Sequence, residues 1–139
     1  MTTKKHATTL LILTFVGLTG LVHAQMYTAI KAQVPFNFVV NGETMPAGKC
    51  TIRMFFTGPT ALSISSGKQH IFAFPIPDQS LKASNKTALV FHRYGDRYVL
   101  ARIKRAGGIS YELPASKLEV ELRAGNVAEE VFTLLASAE

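Results

Sequence analysis

The sequence predicts an all-β domain, either an antiparallel sandwich or a small barrel, with one short helix near the C-terminus. Apolar and polar residues alternate with a period of two along most of the chain, which is the pattern of strands half-buried in a sheet. Turn-forming glycine, proline, asparagine and aspartate residues interrupt this alternation about every 8–12 residues. These two observations predict roughly seven short strands joined by tight turns, and such strands build sandwiches and small barrels.

The beginning of the chain has the layout of an export signal. Three basic residues open it, Lys4, Lys5 and His6. An apolar run of about 16 residues follows, shorter than the roughly 20 that a membrane-spanning helix needs. Small residues then stand at Val22 and Ala24, the two positions that a signal peptidase reads. We predict a cleaved signal peptide over residues 1–24, a single β-rich domain over residues 25–139, no membrane span after cleavage, and a periplasmic or extracellular location.

The mature chain begins with a long strand and a hairpin turn. Residues 30–40 alternate and predict one strand, in which Pro35 marks an edge position or a bulge because it has no N–H to donate. Asn41-Gly42 is a strong turn signal, since both residues tolerate a positive φ. Residues 46–48 then turn the chain into a strand over residues 49–56.

A second hairpin follows a break at Gly58-Pro59. We predict strands over residues 61–65 and 69–76, joined by a turn at Ser66-Gly67-Lys68. Prolines at positions 75 and 77 end this hairpin, because proline cannot continue a hydrogen-bonded ladder. The polar residues 78–86 show no periodicity and predict a loop.

The clearest hairpin spans residues 87–94 and 97–103, around a two-residue turn at Gly95-Asp96. An unbroken register from that turn would place Val90 opposite Ala101. Both faces of this hairpin are apolar in the middle and polar near the turn. Strands with two apolar faces are covered on both faces, so we expect this hairpin to be central in the fold, with its tip in water.

One helix is predicted near the C-terminus. Ser116 followed by Glu119 fits a capping box, leucines four residues apart then share one helical face, and Gly125 is placed to cap the end. A strand remains the alternative, because apolar residues also alternate with glutamates in this segment. We predict a closing strand over residues 131–136, with a continued helix as its alternative.

Cys50 is the only cysteine of the chain, so it cannot form an intramolecular disulfide. It shares one strand face with Ile52 and Met54, which predicts a free thiol buried as a small apolar side chain. An intermolecular disulfide and a catalytic thiol are the alternatives. No neighbour in the sequence would lower the pKa of the thiol, which favours the buried structural role.

Charge is unevenly distributed along the chain, which has a formal net charge of +6. Basic residues dominate between positions 82 and 105, and acidic residues dominate from Glu112 onward. We expect these segments to attract each other within the fold. A basic patch for an anionic surface is the alternative, and for an exported protein we predict no nucleic-acid partner.

Four segments carry a resemblance to known proteins: residues 34–38 (Val-Pro-Phe-x-Phe), 46–48 (Pro-Ala-Gly), 91–96 (Phe-His-Arg-Tyr-Gly-Asp) and 112–116 (Glu-Leu-Pro-x-Ser). The chain resembles a group of small, exported, β-rich bacterial proteins that share these motifs and form a domain of unknown function. The hairpin motif is the most specific of the four, and the resemblance spans most of the mature chain. It implies export and a β-rich fold, and it implies no particular activity.

The tip of the central hairpin concentrates polar and aromatic side chains. These are His92, Arg93, Tyr94, Asp96, Arg97 and Tyr98. The pattern favours structural contacts, in which His92 bonds a nearby carbonyl and Arg93 stacks on Tyr98. A binding surface formed by these six residues is the alternative, and it is the candidate site that the sequence offers. The mature chain has no spacing typical of a metal site, no nucleophile elbow and no phosphate loop, so we predict no metal, no cofactor and no enzymatic activity.

Two functions are consistent with these patterns. The first is a non-catalytic exported β-domain that binds a protein or a component of the cell envelope, with a homodimer as one form of such binding. The alternative is a small β-barrel that carries a hydrophobic ligand among its many phenylalanines. Seven phenylalanines lie at strand spacing, which predicts core positions and not a carbohydrate-binding platform: Phe36, Phe38, Phe55, Phe56, Phe72, Phe74 and Phe91. Phe55 and Phe56 point to opposite faces of their strand, so we expect at least one of these two to be exposed or at an interface.

Overall fold

The computed structural model of the protein describes residues 29–55, 60–79 and 82–138. The predicted signal peptide, residues 1–24, lies outside the described residues, as do Phe56 and the predicted break at Gly58-Pro59. Within the described residues, no helix is long and apolar enough to cross a membrane.

The described residues form an all-β fold with a single short helix, as the alternation predicts. In chain order the elements are β1 (Ala29–Val34), β2 (Phe38–Val40), β3 (Glu43–Met45), β4 (Gly48–Phe55), β5 (Ala61–Ser66), β6 (Gln69–Ala73), β7 (Ile76–Asp78), β8 (Ala88–Tyr94), β9 (Arg97–Lys104), β10 (Ser110–Glu112), α1 (Lys117–Ala124), β11 (Glu129–Leu135) and β12 (Ser137–Ala138).

The strands form two sheets that pack face to face. The five-stranded sheet has the order β12-β1-β4-β5-β6, and the seven-stranded sheet has the order β11-β8-β9-β10-β7. In the seven-stranded sheet, β2 pairs with β3 and lies parallel to the first half of β9. Along the described strands the chain changes sheets four times: between β1 and β2, β3 and β4, β6 and β7, and β11 and β12. Strands that switch sheets in this way form the corners of a sandwich.

The core lies between the two sheets. Its largest fully buried side chains come from both of them: Ile30, Val34, Ile52, Met54, Leu62 and Ile64 from the five-stranded sheet, and Phe38, Met45, Leu89, Phe91 and Ile103 from the seven-stranded sheet. Cys50 is 1% exposed within this core, next to Ile52 and Met54, so the prediction of a buried free thiol is confirmed. Burial raises the pKa of Cys50 to about 11, which leaves very little reactive thiolate at neutral pH.

The predicted single strand over residues 30–40 is wrong, because Pro35 divides it. The first part is β1 in the five-stranded sheet, and the second part is β2 in the seven-stranded sheet. Proline has no N–H for the ladder, so the chain leaves one sheet at this position and enters the other. The turn at Asn41-Gly42 is confirmed, with positive φ at both residues, and it pairs Val40 with Glu43.

The predicted turn of the second hairpin is confirmed, but its second strand is shorter than predicted. β5 and β6 pair around Gly67-Lys68, with Ser66 opposite Gln69. The second strand ends at Ala73, three residues before the predicted Ile76. Residues Ile76–Asp78, predicted to end the hairpin, form β7, which pairs with β10. A strand that contains Pro77 is tolerated here because it lies at the edge of its sheet.

The central hairpin has the predicted turn and the predicted position. β8 lies between β11 and β9, with Tyr94 opposite Arg97 and Phe91 opposite Leu100. Beyond this point the predicted register is wrong. An irregularity between Val90 and Phe91 places Val90 opposite Arg102 instead of Ala101. A β-bulge of this kind leaves no signal in the alternation pattern because it needs only one extra residue.

The helix α1 and the strand β11 confirm the predictions for the C-terminal segment. Ser116 caps the helix by accepting a hydrogen bond from the backbone N–H of Glu119, and Gly125 is the C-cap. The helix packs Leu118 and Leu122 against the outer face of the seven-stranded sheet. The central hairpin is therefore covered on both faces, by the core on one side and by α1 on the other.

The phenylalanines divide between the core and the surface. Phe38 and Phe91 are fully buried, and Phe36 packs edge-on against Phe91. Phe72 and Phe74 are 57% and 65% exposed, so the prediction that they lie in the core is wrong. Phe72 lies in β6, opposite Ser63 of β5, and Phe74 lies one residue beyond the end of the strand.

Candidate binding site at the hairpin tip

The structure places the six predicted tip residues in three different environments. His92 and Tyr94 point to the face that α1 covers. Asp96, Arg97 and Tyr98 line a cleft on another side of the tip. Arg93 lies on the surface between β9 and β11. The predicted single surface is therefore a tip with a buried side and an open side.

On the buried side, Tyr94 is the centre of a polar network. Its side chain is 2% exposed, and its hydroxyl lies 2.8 Å from a carboxylate oxygen of Glu119 and 2.8 Å from one of Glu129. One hydroxyl proton can be donated to only one of the two carboxylates at a time. Arg123 donates from Nε to the Tyr94 hydroxyl oxygen at 3.0 Å and to Glu129 at 3.1 Å, so its charge balances the pair.

His92 joins this network through Glu119 and not through a backbone carbonyl, so the predicted carbonyl partner is wrong. Its Nδ1 lies 2.7 Å from Glu119 Oε1, a distance at which Nδ1 carries the proton and donates. Its Nε2 lies 3.7 Å from Glu129 Oε1. Glu119 is 2% exposed and also accepts from Arg123 Nη2 at 3.0 Å, so a buried carboxylate has three partners.

The network shifts the pKa of its members in opposite directions. Burial, followed by the hydrogen bonds with Glu119 and Glu129, raises the pKa of Tyr94 well above its ordinary value. The hydrogen bond from Tyr94, with the charges of His92 and Arg123, lowers the pKa of Glu129. The hydrogen bond with Tyr94 raises the pKa of Arg123. At neutral pH the network therefore holds a neutral phenol, an ionised Glu129 and a charged guanidinium.

A carboxylate that holds an imidazole by Nδ1 is also the geometry that orients a general base. Ligand atoms of His92, Glu119 and Glu129 lie within 4.8 Å of one another, as they would around a metal ion. Arg123 already places its guanidinium about 3 Å from both carboxylates. The observed contacts are those of a structural network that fastens α1 and β11 to the tip of the hairpin.

Arg93 makes the contact predicted for it. Its guanidinium carbon lies 5.6 Å from the centroid of the Tyr98 ring, and its Nε donates to the carbonyl of Gly95 at 2.7 Å. It also lies 3.6 Å from Glu130 on β11, which confirms attraction between the basic hairpin and the acidic C-terminal segment. Tyr98 in turn stacks on Phe36, with ring centroids 3.6 Å apart.

The open side of the tip is a cleft of about 390 Å³ between the central hairpin and the β2–β3 hairpin. Its lining includes the charged Asp96 and Arg97, the polar Thr44, and the apolar Tyr98 ring and Leu118 side chain. Asp96 and Arg97 are exposed. A concave surface with a few polar groups around an apolar floor is the usual form of a binding site.

Sequence reasoning found the tip but missed three residues of its network: Glu119, Arg123 and Glu129. They lie 25 or more positions from Tyr94 in the chain. The only local signal was Glu119 as the third residue of a predicted helix, where a glutamate has an ordinary capping role.

No protein-family model, no curated protein and no solved structure matches this chain. The resemblance to small exported bacterial proteins stays a prediction that rests on the four motifs.

Proposed function

We propose that this protein is an exported, non-catalytic β-domain that binds a protein or another component of the cell envelope through the cleft at its hairpin tip. The observation that carries the proposal is the cleft itself, which joins three of the six predicted tip residues to the β2–β3 hairpin. Exposed opposite charges at Asp96 and Arg97 would select a partner with matching polar groups. Tyr98 and Leu118 would supply apolar contact area.

The network beneath the tip supports a binding role. Tyr94, Glu119 and Arg123 hold the hairpin against α1, so the cleft has its shape before a partner arrives. A preformed site avoids part of the ordering cost of binding. The same contacts occupy His92 and both carboxylates with partners inside the protein, which favours a structural use of these groups over a catalytic one.

Substitution of Arg97 by alanine tests the proposal. We expect recovery of the partner from an envelope extract to fall at least about fivefold, because a charged residue central to an interface contributes more than about 1 kcal/mol. Lys86→Ala is the matched control, since it removes an equally exposed positive charge at the opposite end of the hairpin. Both variants should keep the wild-type melting temperature. Equal recovery by wild type and Arg97→Ala would contradict binding through the cleft.

Arg93→Ala is a second variant with a different expectation. Arg93 contacts Tyr98 and Glu130, so its loss should loosen the wall of the cleft and reduce recovery less than the loss of Arg97 does. If Arg93→Ala reduced recovery more than Arg97→Ala did, the result would indicate that the partner binds the β8–β11 surface and not the cleft.

The alternative, a carrier of a hydrophobic ligand, has less support from the packing. Phe38 and Phe91 contact each other in the core with ring centroids 5.6 Å apart, while Phe72 and Phe74 lie outside it. Native mass spectrometry of the protein from its own host tests this alternative. A bound apolar mass that survives desalting would favour the carrier over the binding module.

A further inference from the structure

The outer face of the five-stranded sheet has an unusual charge pattern. The sequences of its strands β1, β4, β5, β6 and β12 contain no aspartate and no glutamate. Of the acidic residues that the structure describes, most lie in or next to the seven-stranded sheet and α1, where Asp78, Glu119, Glu129 and Glu130 contact arginines. These ion pairs belong to the seven-stranded sheet and α1, whereas the strands of the five-stranded sheet contribute basic residues and no acidic ones.

Strand alternation sorts the side chains of β4 between the core and this face. Cys50, Ile52 and Met54 point inward and are buried. Lys49 and Arg53 therefore point outward, and both are exposed. Lys31 on β1 belongs to the same face, and Lys68 lies at the β5–β6 turn beside its edge.

Hydroxyl groups lie between these basic side chains. The register places Thr51 between Lys31 and Ser65, and it places Ser63 opposite Arg53. Across β1 and β4 there is a shallow open depression of about 220 Å³, which is lined by Lys31, Gln33, Lys49 and Ser137 among others. Amines, hydroxyls and an amide around a depression are the groups that bind phosphate oxygens.

An apolar rim borders the basic face. Phe72, opposite Ser63 in the register, belongs to this face and is 57% exposed. Phe74, one residue beyond the end of β6, and Ile76, at the start of β7 in the other sheet, are 65% and 58% exposed. Three large apolar side chains exposed within five residues of chain are costly to leave in water, and exposed apolar patches mark interaction surfaces.

We propose that this face docks on an anionic phospholipid surface. The basic side chains would neutralise lipid headgroups, and Phe72 and Phe74 would insert at the boundary between headgroups and acyl chains. A sheet face presents its charges over a broad area, which suits a membrane surface. The phenylalanines favour lipid over a soluble acidic polymer, because a polymer of anionic groups offers no apolar layer for them.

The docking face is separate from the tip cleft, so this proposal does not depend on the proposed function. None of the residues that carry it lines the cleft. A partner bound at the tip would remain accessible while the five-stranded sheet contacted the membrane.

Co-sedimentation with vesicles tests the proposal, using phosphatidylcholine vesicles with and without phosphatidylglycerol at low salt. We expect the mature protein to sediment with the anionic vesicles only. The double variant Lys49→Gln/Arg53→Gln should lower the partition coefficient about 30-fold, from the usual contribution of basic residues near an anionic surface. Lys82→Gln/Lys86→Gln is the matched control, because it removes the same charge from two exposed positions before β8, outside both the docking face and the tip cleft, and should partition like the wild type.

The variant Phe72→Ser/Phe74→Ser separates a lipid surface from other anions. It should lower partitioning into vesicles and leave retention on a soluble polyanion column unchanged. Three results would overturn the proposal: no preference for anionic vesicles, an equal loss in the Lys82/Lys86 control, or wild-type partitioning by the Phe72/Phe74 variant. Circular dichroism spectra identical to that of the wild type would show that each variant is folded.

Discussion

At the scale of single residues, one atom, the hydroxyl oxygen of Tyr94, contacts three side chains. This oxygen lies within hydrogen-bonding distance of Glu119 and Arg123, which belong to α1, and of Glu129, which belongs to β11. A buried carboxylate such as Glu119 is tolerated only when donors satisfy it. The hydroxyl of Tyr94 therefore adds to the contacts that join β8 to α1 and β11, which also include His92 with Glu119 and Arg123 with Glu129.

The change Tyr94→Phe should destabilise the protein by about 1–3 kcal/mol, because it leaves buried polar groups without a partner. Chemical unfolding followed by circular dichroism measures this difference. Tyr98→Phe is the matched control and should change stability by less than about 0.5 kcal/mol, since the ring of Tyr98 keeps its stacking on Phe36. A Tyr94→Phe variant with the same free energy of unfolding as the wild type would show that the hydroxyl contributes nothing to stability.

Glu129 makes the stability of the protein depend on pH. Its pKa is lower in the folded protein than its ordinary value of 4.5, so its stabilising effect is complete above that value and is lost as the pH falls through the lower folded pKa. Wild-type protein should therefore lose more stability between about pH 5 and pH 3 than Glu129→Gln does. Glu121→Gln, on the exposed side of α1, should follow the wild-type profile. Parallel profiles for wild type and Glu129→Gln would contradict this linkage.

At the scale of elements, local signals predict the turns and the helix ends well. The turns at Asn41-Gly42 and Gly95-Asp96 lie where the sequence predicts them. The helix begins after Ser116, and its C-terminal turn ends with Asn126 at a φ of 54° and hydrogen bonds from Asn126 and Val127 back to Arg123 and Leu122. Each of these features depends on residues within four or five positions, so the sequence contains them directly.

The change Ser116→Ala should lower the free energy of unfolding by about 1 kcal/mol, the usual effect of losing an N-cap. Because α1 positions Glu119 and Arg123, the variant should also weaken the network at Tyr94. Ser137→Ala provides a control at an exposed strand position, where the hydroxyl makes only a long contact of 3.4 Å with the carbonyl of Lys31. Urea unfolding at neutral pH compares the three proteins, and a Ser116→Ala variant as stable as Ser137→Ala would contradict the capping role.

At the scale of the whole molecule, one core serves both sheets. Ile52 and Ile64 from the five-stranded sheet pack in the same cluster as Leu89 and Phe91 from the seven-stranded sheet. The corners at Pro35 and Ala136 connect the sheets, and the N–H of Ala136 donates to Thr87 at the start of β8. The two sheets should therefore unfold together.

The change Ile52→Ala should lower stability by about 2–5 kcal/mol, because it removes a fully buried side chain and leaves a cavity. All tyrosines that the structure describes lie in the seven-stranded sheet, so near-ultraviolet circular dichroism reports on the sheet that does not contain Ile52. We expect its transition to coincide with the far-ultraviolet transition in this variant. A tyrosine signal that outlasts the far-ultraviolet signal would show that the sheets unfold separately. Val131→Ala, at an exposed position, is the control.

The sequence by itself determined the all-β class, the main hairpin turns, the capped helix, the closing strand and the buried Cys50. These follow from periodicity and turn chemistry, which act over a few neighbouring residues. Only the tertiary structure decided that Pro35 separates two sheets, that Ile76–Asp78 is a strand, and that Glu119 and Glu129 meet at Tyr94. It also decided that Lys49 and Arg53 share one face of a sheet whose strands contain no aspartate or glutamate. Strand pairing and charge clustering join residues distant in the chain, and packing of the common core selects among many pairings that the local pattern allows equally.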